Sequence, residues 1–418
     1  MFIIWVTLIL ILSISYIFNI LMDSTLYITA GFIMSVSLFF MFTLMKNYTR
    51  FFLILFTSFL VRLLFLFIDV FNLYALPHTG DDTENFYKTG QLIGENLYLL
   101  QSEVYGGIYS KFLGVIFNIY GDDRIFAQFL NIIFAMTAIL LMIEIFKKLE
   151  IPVRVQMICV ALMAFFPHSL IFSSILLRES LISLFVVLSL YFFISWFKGS
   201  KGIHAVVSVL FLVVAALFHS AVIGAVIGYV YAFIFYDRTY HRFNVSLRSV
   251  IPFVLFTGFF IYILTFPEVI ENWPLFNKFS QSLNQNDNLY EAFTSTRGEA
   301  AYLTNININN MFQLILFTPV KVIYFIGSPM PWSFRNLNDI LSFFLDGVFY
   351  LSVLAVGVRH FPLIRKHPLL FIIMISIAAG WIVFGLGISN AGTAIRHRFK
   401  FFYMVVVFLS VFLTKKDE

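Results

Sequence analysis

Long apolar runs, separated by short polar connections, make up most of this chain. Each run has about 20 residues, the length that an α-helix needs to cross the hydrocarbon core of a bilayer. The pattern predicts an all-α fold, a polytopic membrane bundle with about twelve transmembrane helices. The predicted spans are residues 2–21, 25–45, 51–76, 125–146, 155–175, 177–197, 203–218, 220–236, 250–266, 339–358, 368–387 and 401–414.

The first apolar run, residues 2–21, lacks the basic start and the small-residue cleavage site of a secretory signal peptide. We therefore expect it to be kept as a span. The whole chain, 1–418, is predicted to form one integral membrane domain. Its parts are an N-terminal helix hairpin at 1–50, a core at 51–240 and C-terminal helices at 241–418.

The composition supports a membrane protein and excludes a water-soluble globule. Of the 418 residues, 61% are hydrophobic and 12% are charged, against about a quarter charged in an average soluble domain. The sequence has no glycine-rich phosphate loop and no cluster of metal-binding cysteines, so we expect no cofactor and no nucleic-acid partner. The single cysteine, Cys159, lies in an apolar run and is interpreted as a small core residue.

Basic residues in the short connections predict the orientation of the chain, because Lys and Arg concentrate on the cytoplasmic side of a membrane. Six clusters hold 15 of the 27 basic residues, and twelve crossings place all six on the side of the N-terminus. Both termini are therefore predicted to be cytoplasmic. The clusters are Lys46 and Arg50; Lys147, Lys148 and Arg154; Lys198 and Lys201; Arg238, Arg242 and Arg248; Arg359, Arg365 and Lys366; and Lys415 and Lys416.

The opposite, extracytoplasmic face receives most of the acidic residues outside the spans. Its segments are the long loops 77–124 and 267–338 and the short connection 388–400. Any chemistry is therefore predicted on the extracytoplasmic side. If the apolar run 311–328 also crossed the membrane, the basic clusters after it would fall on the opposite face from the others. Lys321 within it indicates that the run lies in the interface or re-enters.

An acidic segment directly after the third predicted span is the most informative motif. Gly80 ends the preceding helix, and Asp81, Asp82 and Glu84 begin a helix predicted over 82–98, where the helix dipole favours negative charge. Carboxylates held at the bilayer surface can serve as a general base or as cation ligands. An ordinary acidic helix cap is the alternative, and we predict no obligatory metal.

Two further groups of polar residues lie at predicted outer boundaries. Arg178 and Glu179 fill a very short connection that would more naturally hold Gly, Asn or Ser, so we predict a functional role for them. His219 marks a tight outer turn, where a histidine is more often a turn residue than a catalyst.

The connection 388–400 is densely basic, although the number of predicted crossings before it places it on the outer face. Its basic residues run against the positive-inside trend. A bound anion would compensate for this placement, since arginines bind phosphate oxygens bidentately. A mistaken topology is the alternative. The residues concerned are Arg396, His397, Arg398 and Lys400.

Three charged residues lie away from the ends of predicted spans, where a charge is costly. Arg62 and Asp69 are two helical turns apart on nearly the same face, so we predict that they are buried and paired, through neighbours or with polar groups on other helices. Asp346 lies in the tenth span. We interpret all three as structural.

The acidic motif, with the two surface helices predicted after it at 82–98 and 109–120, resembles the GT-C superfamily of integral membrane glycosyltransferases. That superfamily includes the protein mannosyltransferases and the lipid A aminoarabinose transferases. The resemblance covers roughly residues 50–240, and the acidic motif follows the third span here instead of the first. The strings that carry it are Gly80 to Tyr87, Tyr105-Gly106-Gly107-Ile108-Tyr109, Ile119-Tyr120-Gly121 and Pro167 to Glu179.

Other strings are similar to those of bacterial surface-polysaccharide polymerases and of proteins associated with polysaccharide assembly. They are Ser173-Ser174 with Arg178, Phe218-His219-Ser220, Arg297 to Tyr302, Ser328 to Trp332 and Gly392 to Arg398. The two resemblances together imply a GT-C-like glycosyltransferase of the bacterial cytoplasmic membrane. The implied donor is a sugar on polyprenyl phosphate or diphosphate, the implied acceptor is a glycan or a lipid-linked glycan, and the implied reaction is a single displacement with inversion.

The roles implied for individual residues follow the same resemblance. Asp81 or Asp82 would be the base, with Glu84 as a third catalytic acid. The predicted ligands of the donor phosphate are Arg178, Arg297, Arg396, His397, Arg398 and Lys400. The predicted supporting residues are Glu179, His168, His219 and Tyr87. We expect the basic run to face Asp81 and Asp82.

Two other function classes compete with a glycosyltransferase. A transporter or flippase of lipid-linked oligosaccharide usually has internal repeats and broken helices near mid-membrane, and we find no convincing repeat. A non-catalytic partner of other polysaccharide-assembly proteins would tolerate the loss of every outer carboxylate. The sequence does not separate a polymerase from a single-sugar transferase.

Overall fold

A computed structural model describes residues 25–265 and 300–416, except Asn305, Asn307 and Asn309. It is all-α and 80% helical, which confirms the predicted class. The exception is one short antiparallel pair of strands, β1 (Tyr236–Asp237) and β2 (Arg242–Phe243). The first predicted span, 2–21, lies outside the described residues.

Six helical segments of the described chain are long and apolar enough to cross a membrane, which is compatible with a multi-pass membrane protein. Two further pairs of helices, bent by 47° and 58°, would each count as one more span. The predicted number of twelve is therefore not confirmed. The six segments are Ile28–Asn47, Thr49–Val70, Arg124–Lys148, Glu179–Phe197, Leu337–Arg359 and Pro368–Gly387.

Two predicted spans fall short of a bilayer in length. The helix over 203–218 has 16 residues, which at 1.5 Å per residue is about 24 Å against a core of about 30 Å. The segment 220–235 begins as a 3₁₀ helix and becomes an α-helix only at Val226. The break at His219 agrees with the turn predicted there, but hydropathy does not register that the following segment begins as a 3₁₀ helix.

The chain divides into two compact units. Unit 1 comprises Met1–Leu140 and Met157–Leu184, and unit 2 comprises Leu141–Gln156 and Phe185–Glu418. The single membrane domain with its three parts stays a prediction.

Unit 1 contains the first helices of the described residues. They are α1 (Thr25–Asn47), α2 (Phe52–Val70), α3 (Asp81–Glu95), α4 (Ile108–Tyr120), most of α5 (Arg124–Lys148) and α6 (Val153–Phe165), α7 (Pro167–Ser174) and the start of α8 (Glu179–Phe197).

Unit 2 contains the rest of α5, α6 and α8 and all later elements. Its further helices are α9 (Ile203–Phe218), α10 (Val226–Phe235), α11 (Leu247–Thr265), α12 (Met311–Gly327), α13 (Leu337–Ser342), α14 (Val348–Arg359), α15 (Phe361–Lys366), α16 (Pro368–Gly387), α17 (Ala391–Phe399) and α18 (Phe402–Lys416).

Arg62 of α2 is fully buried in unit 1 and is held by polar groups of other helices, as the sequence predicts. Its Nε donates to Ser173 Oγ, and its Nη2 donates to Ser169 Oγ, both at 2.9 Å. Its Nη1 donates to the carbonyl of Ala164 at 3.0 Å. Since an unsatisfied buried guanidinium would cost several kcal/mol, these bonds fix α2 against α6 and α7.

Glycines allow α3 and α4 to pack closely. A Cβ on Gly114 would lie 2.3 Å from Ile93 Cγ2, and a Cβ on Gly90 would lie 2.9 Å from Phe117 Cε2. No real side chain tolerates such distances without a shift of its neighbour. The two helices are therefore in contact along their glycine faces, and their bounds agree closely with the predicted helices 82–98 and 109–120.

Replacing Gly114 with alanine is expected to destabilise unit 1 by about 1–3 kcal/mol, because the added methyl group overpacks the α3–α4 contact. Thermal unfolding of the purified protein in detergent measures the change. Gly31→Ala is the matched control, since a Cβ there meets no atom within 4 Å. Equal unfolding temperatures for Gly114→Ala and the wild type would contradict the close packing.

Candidate functional site

The acidic turn of α3 is built by a local capping arrangement. Gly80 takes a positive φ of 144° before the helix. Thr83 Oγ1 donates to the carbonyl of Gly80 at 2.8 Å, and the Gly80 N–H donates back to Thr83 Oγ1 at 3.2 Å. The helix therefore starts at Asp81, so that Asp81, Asp82 and Glu84 lie in its first turn, as predicted.

The three predicted catalytic acids have different surroundings. Asp81 is exposed, whereas Asp82 is half-buried and accepts a hydrogen bond from the hydroxyl of Tyr105. Glu84 forms an ion pair with Arg124 at 2.6 Å. Asp82 is thus bound by a neutral hydroxyl group, whereas Glu84 is paired with a guanidinium cation.

Arg124 joins the acidic helix to the buried end of α2. Its second terminal nitrogen lies 3.4 Å from Asp69, which also accepts a hydrogen bond from Gln128 Nε2 at 2.7 Å. The predicted pairing of Asp69 with polar groups of another helix is thus confirmed. Because a buried carboxylate is costly without partners, this network ties α2, α3 and α5 together.

Tyr87, a predicted supporting residue, lies one turn beyond Glu84. The guanidinium of Arg124 stands 5.6 Å from the centre of its ring, a cation–π contact. Burial and the neighbouring carboxylate of Asp122 raise the pKa of Tyr87, so its hydroxyl keeps its proton and can only act as a neutral donor or acceptor.

Arg178 is brought beside the acidic helix through Phe86. Its guanidinium carbon lies 5.7 Å from the centre of the Phe86 ring. The short segment before Arg178 is held by Asn131, whose Nδ2 donates to the carbonyls of Ile175 and Leu177, both at 2.9 Å. A predicted phosphate ligand and the predicted catalytic helix thus share one end of unit 1.

Two tyrosines complete the surroundings of Phe86. The ring centre of Tyr109 lies 5.1 Å away, edge to face, and that of Tyr105 lies 5.5 Å away. Tyr109 is buried, and this burial raises the pKa of its hydroxyl. We call Asp82, Phe86, Tyr105, Tyr109 and Arg178 the Phe86 cluster.

Two predicted supporting residues of unit 1, Glu179 and His168, lie on different helices. Glu179 is buried in the first turn of α8, directly after Arg178. His168 is buried in α7, with its ring 5.5 Å from that of His78 and 5.3 Å from that of Phe172. His78 belongs to the segment that leads into α3, so His168 packs against that segment.

In unit 2 the basic connection is a helix instead of an open loop. Asn390 caps α17, its Oδ1 accepting from the Thr393 N–H at 3.1 Å. The helix ends at Phe399, and Lys400 and Phe401 separate it from α18. Arg396 is half-buried, whereas Arg398 and Lys400 are fully buried.

Arg398 is engaged by structural partners. It forms an ion pair with Asp346, which is equally buried. Its Nη1 donates to the carbonyls of Ile326 and Ser328 at 2.8 and 2.7 Å, at the C-terminal end of α12. The cation thus neutralises a carboxylate and satisfies helix-end carbonyls at the same time.

Two further basic residues of this connection, His397 and Lys400, meet His219 at Phe384 of α16. Lys400 Nζ lies 2.6 Å from His397 Nδ1. The His219 ring centre lies 4.3 Å from that of His397, and both rings pack on Phe384 at 5.0 and 4.9 Å. The structure therefore brings together three predicted site residues of unit 2: His219, His397 and Lys400.

Several predictions about the site stay predictions. Arg297 lies outside the described residues. We predicted that the basic run 396–400 faces Asp81 and Asp82. The run belongs to unit 2 and the two aspartates belong to unit 1, so this approach stays a prediction. Among the described residues, no three His, Cys, Asp or Glu side chains lie close enough to hold a metal ion.

Sequence reasoning missed three contributors to these clusters. Tyr105 and Tyr109 belong to a string that carries the family resemblance, but no role was predicted for either. Arg124 is the last residue of the predicted outer loop 77–124, and no role was predicted for it. The one signal available was the pair of glycines between the tyrosines, which indicates a tight turn.

Chemically, the Phe86 cluster combines a carboxylate that can accept a proton with a guanidinium that can bind an anion. No family model, curated protein or solved structure matches this chain.

Proposed function

We propose that this protein is a membrane glycosyltransferase that uses a sugar on polyprenyl phosphate or diphosphate and extends or polymerises a surface polysaccharide. The observation that carries the proposal is the Phe86 cluster, in which Arg178 and Tyr105 both contact the Phe86 ring and the Tyr105 hydroxyl donates to Asp82. Glycosyl transfer from a lipid phosphate needs both a base for the acceptor and a cation for the leaving group.

In this proposal Asp82 removes the proton from the acceptor hydroxyl as the hydroxyl oxygen attacks the anomeric carbon. The bond from that carbon to the phosphate oxygen breaks with inversion, and its electron pair goes to the lipid phosphate. Arg178 stabilises the negative charge that develops there. Glu84 and Arg124 hold the acidic helix on α2 and α5 through their ion pairs.

The extracytoplasmic location of the site, the cytoplasmic termini and the full set of spans are parts of the same proposal. The charge pattern of the connections supports them. The proposal includes a second anion-binding region in unit 2, formed by Arg396, His397 and Lys400. A positive-inside orientation leaves the outer placement of these residues unexplained. The chemistry of this region suits the phosphate of a donor or of an acceptor lipid.

The test is an assay of glycosidic bond formation with purified protein in detergent and lipid-linked saccharides extracted from the producing cells. The wild type is expected to form new glycosidic bonds without a sealed compartment. Arg178→Ala is expected to lower the rate about 10²–10³-fold, the effect of removing a donor to developing charge. Arg154→Ala, at an exposed arginine, is the matched control.

Two outcomes would overturn the proposal. If no bond forms in detergent while the protein moves lipid-linked saccharides across sealed vesicles, the protein is a flippase or transporter. If Arg178→Ala and Arg154→Ala retain the same rate as the wild type, the Phe86 cluster is not the active site. A ladder of repeats among the products would identify a polymerase, and one added sugar a single-sugar transferase.

A further inference from the structure

Two glycines wrap the chain around Phe86 between α3 and α4. Gly106 and Gly107 have positive φ angles of 76° and 57°. A Cβ on Gly106 would lie 2.6 Å from the Phe86 ring and 2.5 Å from Ser110 Oγ. Glycine is therefore required here both for the backbone conformation and for the close approach.

This turn places its two flanking tyrosines on Phe86 in different ways. Tyr109, after the turn, is buried. Tyr105, before the turn, is partly exposed, with its ring against Phe86 and its hydroxyl donating to Asp82 Oδ1. The diglycine turn thus delivers a hydrogen-bond donor to the carboxylate that the proposed reaction uses as its base.

We propose that Tyr105 is a positioning residue, which orients the carboxylate of Asp82 for proton transfer. The inference rests on the proposed function. A carboxylate on a short side chain can rotate, and only some rotations direct a lone pair at an acceptor hydroxyl. The Tyr105 hydroxyl holds Oδ1 and so limits the rotation of the carboxylate.

Tyrosine suits this task because its ring and its hydroxyl act separately. The ring packs on Phe86, which fixes the position of the hydroxyl. The hydroxyl is a neutral hydrogen-bond donor, so it holds the carboxylate without adding a charge beside it. A lysine or arginine in its place would instead neutralise the base.

Tyr105→Phe removes the hydroxyl and keeps the ring. A hydrogen bond to a charged group contributes about 1.5–3 kcal/mol, so kcat is expected to fall about 10- to 100-fold. The KM for the lipid-linked donor and the unfolding temperature are expected to stay at their wild-type values. Tyr98→Phe, the same change at an exposed tyrosine after α3, is the control.

A second measurement is independent of activity. Water-soluble carbodiimide modifies carboxyl groups, and mass spectrometry with fragmentation reports the rate at Asp81 and Asp82 separately. The phenol hydrogen bond stabilises the ionised form of Asp82 and slows its modification. Tyr105→Phe is expected to raise the rate at Asp82 about tenfold, while the exposed Asp81 keeps its rate and serves as the internal reference.

The outcomes separate the inference from the proposed function. Failure of the wild type to form glycosidic bonds overturns the proposed function and with it a role of Tyr105 in that reaction. Bond formation that is lost in Asp82→Asn but unchanged in Tyr105→Phe overturns the positioning role alone. A Tyr105→Phe variant with a lower unfolding temperature and an unchanged rate of Asp82 modification would show a merely structural contact.

Discussion

Arg398→Ala is expected to destabilise unit 2 by about 3–5 kcal/mol, the usual cost of breaking a buried ion pair by removing one partner. Asp346 would be left as a buried carboxylate without its cation. The carbonyls of Ile326 and Ser328 would lose their donor as well. Since native proteins are stable by only about 5–15 kcal/mol, much of the protein should fail to fold.

The measurement is thermal unfolding and size-exclusion behaviour of purified variants in detergent. Arg396→Ala, on the same helix and only half-buried, is the matched control and is expected to cost about 1 kcal/mol or less. The double variant with Arg398→Met and Asp346→Leu removes both charges and should recover part of the lost stability, because a buried pair can be replaced by apolar side chains of similar volume.

The result also separates the two roles argued for Arg398. If the arginine is structural, the double variant should regain glycosyl transfer together with its stability. If the double variant folds and remains inactive, Arg398 contributes to the donor phosphate site, as the sequence predicts. An unfolding temperature of Arg398→Ala equal to that of the wild type would contradict the buried pair itself.

Local signals in the sequence predict short elements well. Gly80, the acids after it and Gly121 bound helices at 82–98 and 109–120, and the structure has α3 and α4 at Asp81–Glu95 and Ile108–Tyr120. The burial and pairing of Arg62 and Asp69 are also predicted correctly, because a charge inside an apolar run has few alternatives.

Partners that are distant in sequence could not be predicted. Arg398 was predicted to bind phosphate because the basic connection 388–400 runs against the positive-inside trend. Its partner Asp346 is 52 positions away and was interpreted separately. The approach of Arg178 to Phe86 similarly depends on how α3 and the start of α8 pack. The predicted number of spans is not confirmed for a related reason, since hydropathy does not register a break such as that at Phe166, inside the predicted span 155–175.

Asp82→Asn is expected to lower the rate of glycosyl transfer about 10²–10⁴-fold, the usual contribution of general acid–base catalysis. The amide keeps the size and shape of the carboxylate but cannot take the proton of the acceptor. Its neighbour offers a matched control: Asp81→Asn makes the same change one position earlier on the same helix turn, at an exposed carboxylate.

Single-turnover assays with extracted lipid-linked saccharides in detergent measure the chemical step directly. We expect a large loss in Asp82→Asn, a rate near that of the wild type in Asp81→Asn, and unchanged unfolding temperatures in both. The reverse order of the two losses would assign the base to Asp81 and would leave the contact between Tyr105 and Asp82 without a catalytic purpose. Equal, full activity in both would show that neither aspartate is the base, and would overturn the role proposed for Asp82 in the Phe86 cluster.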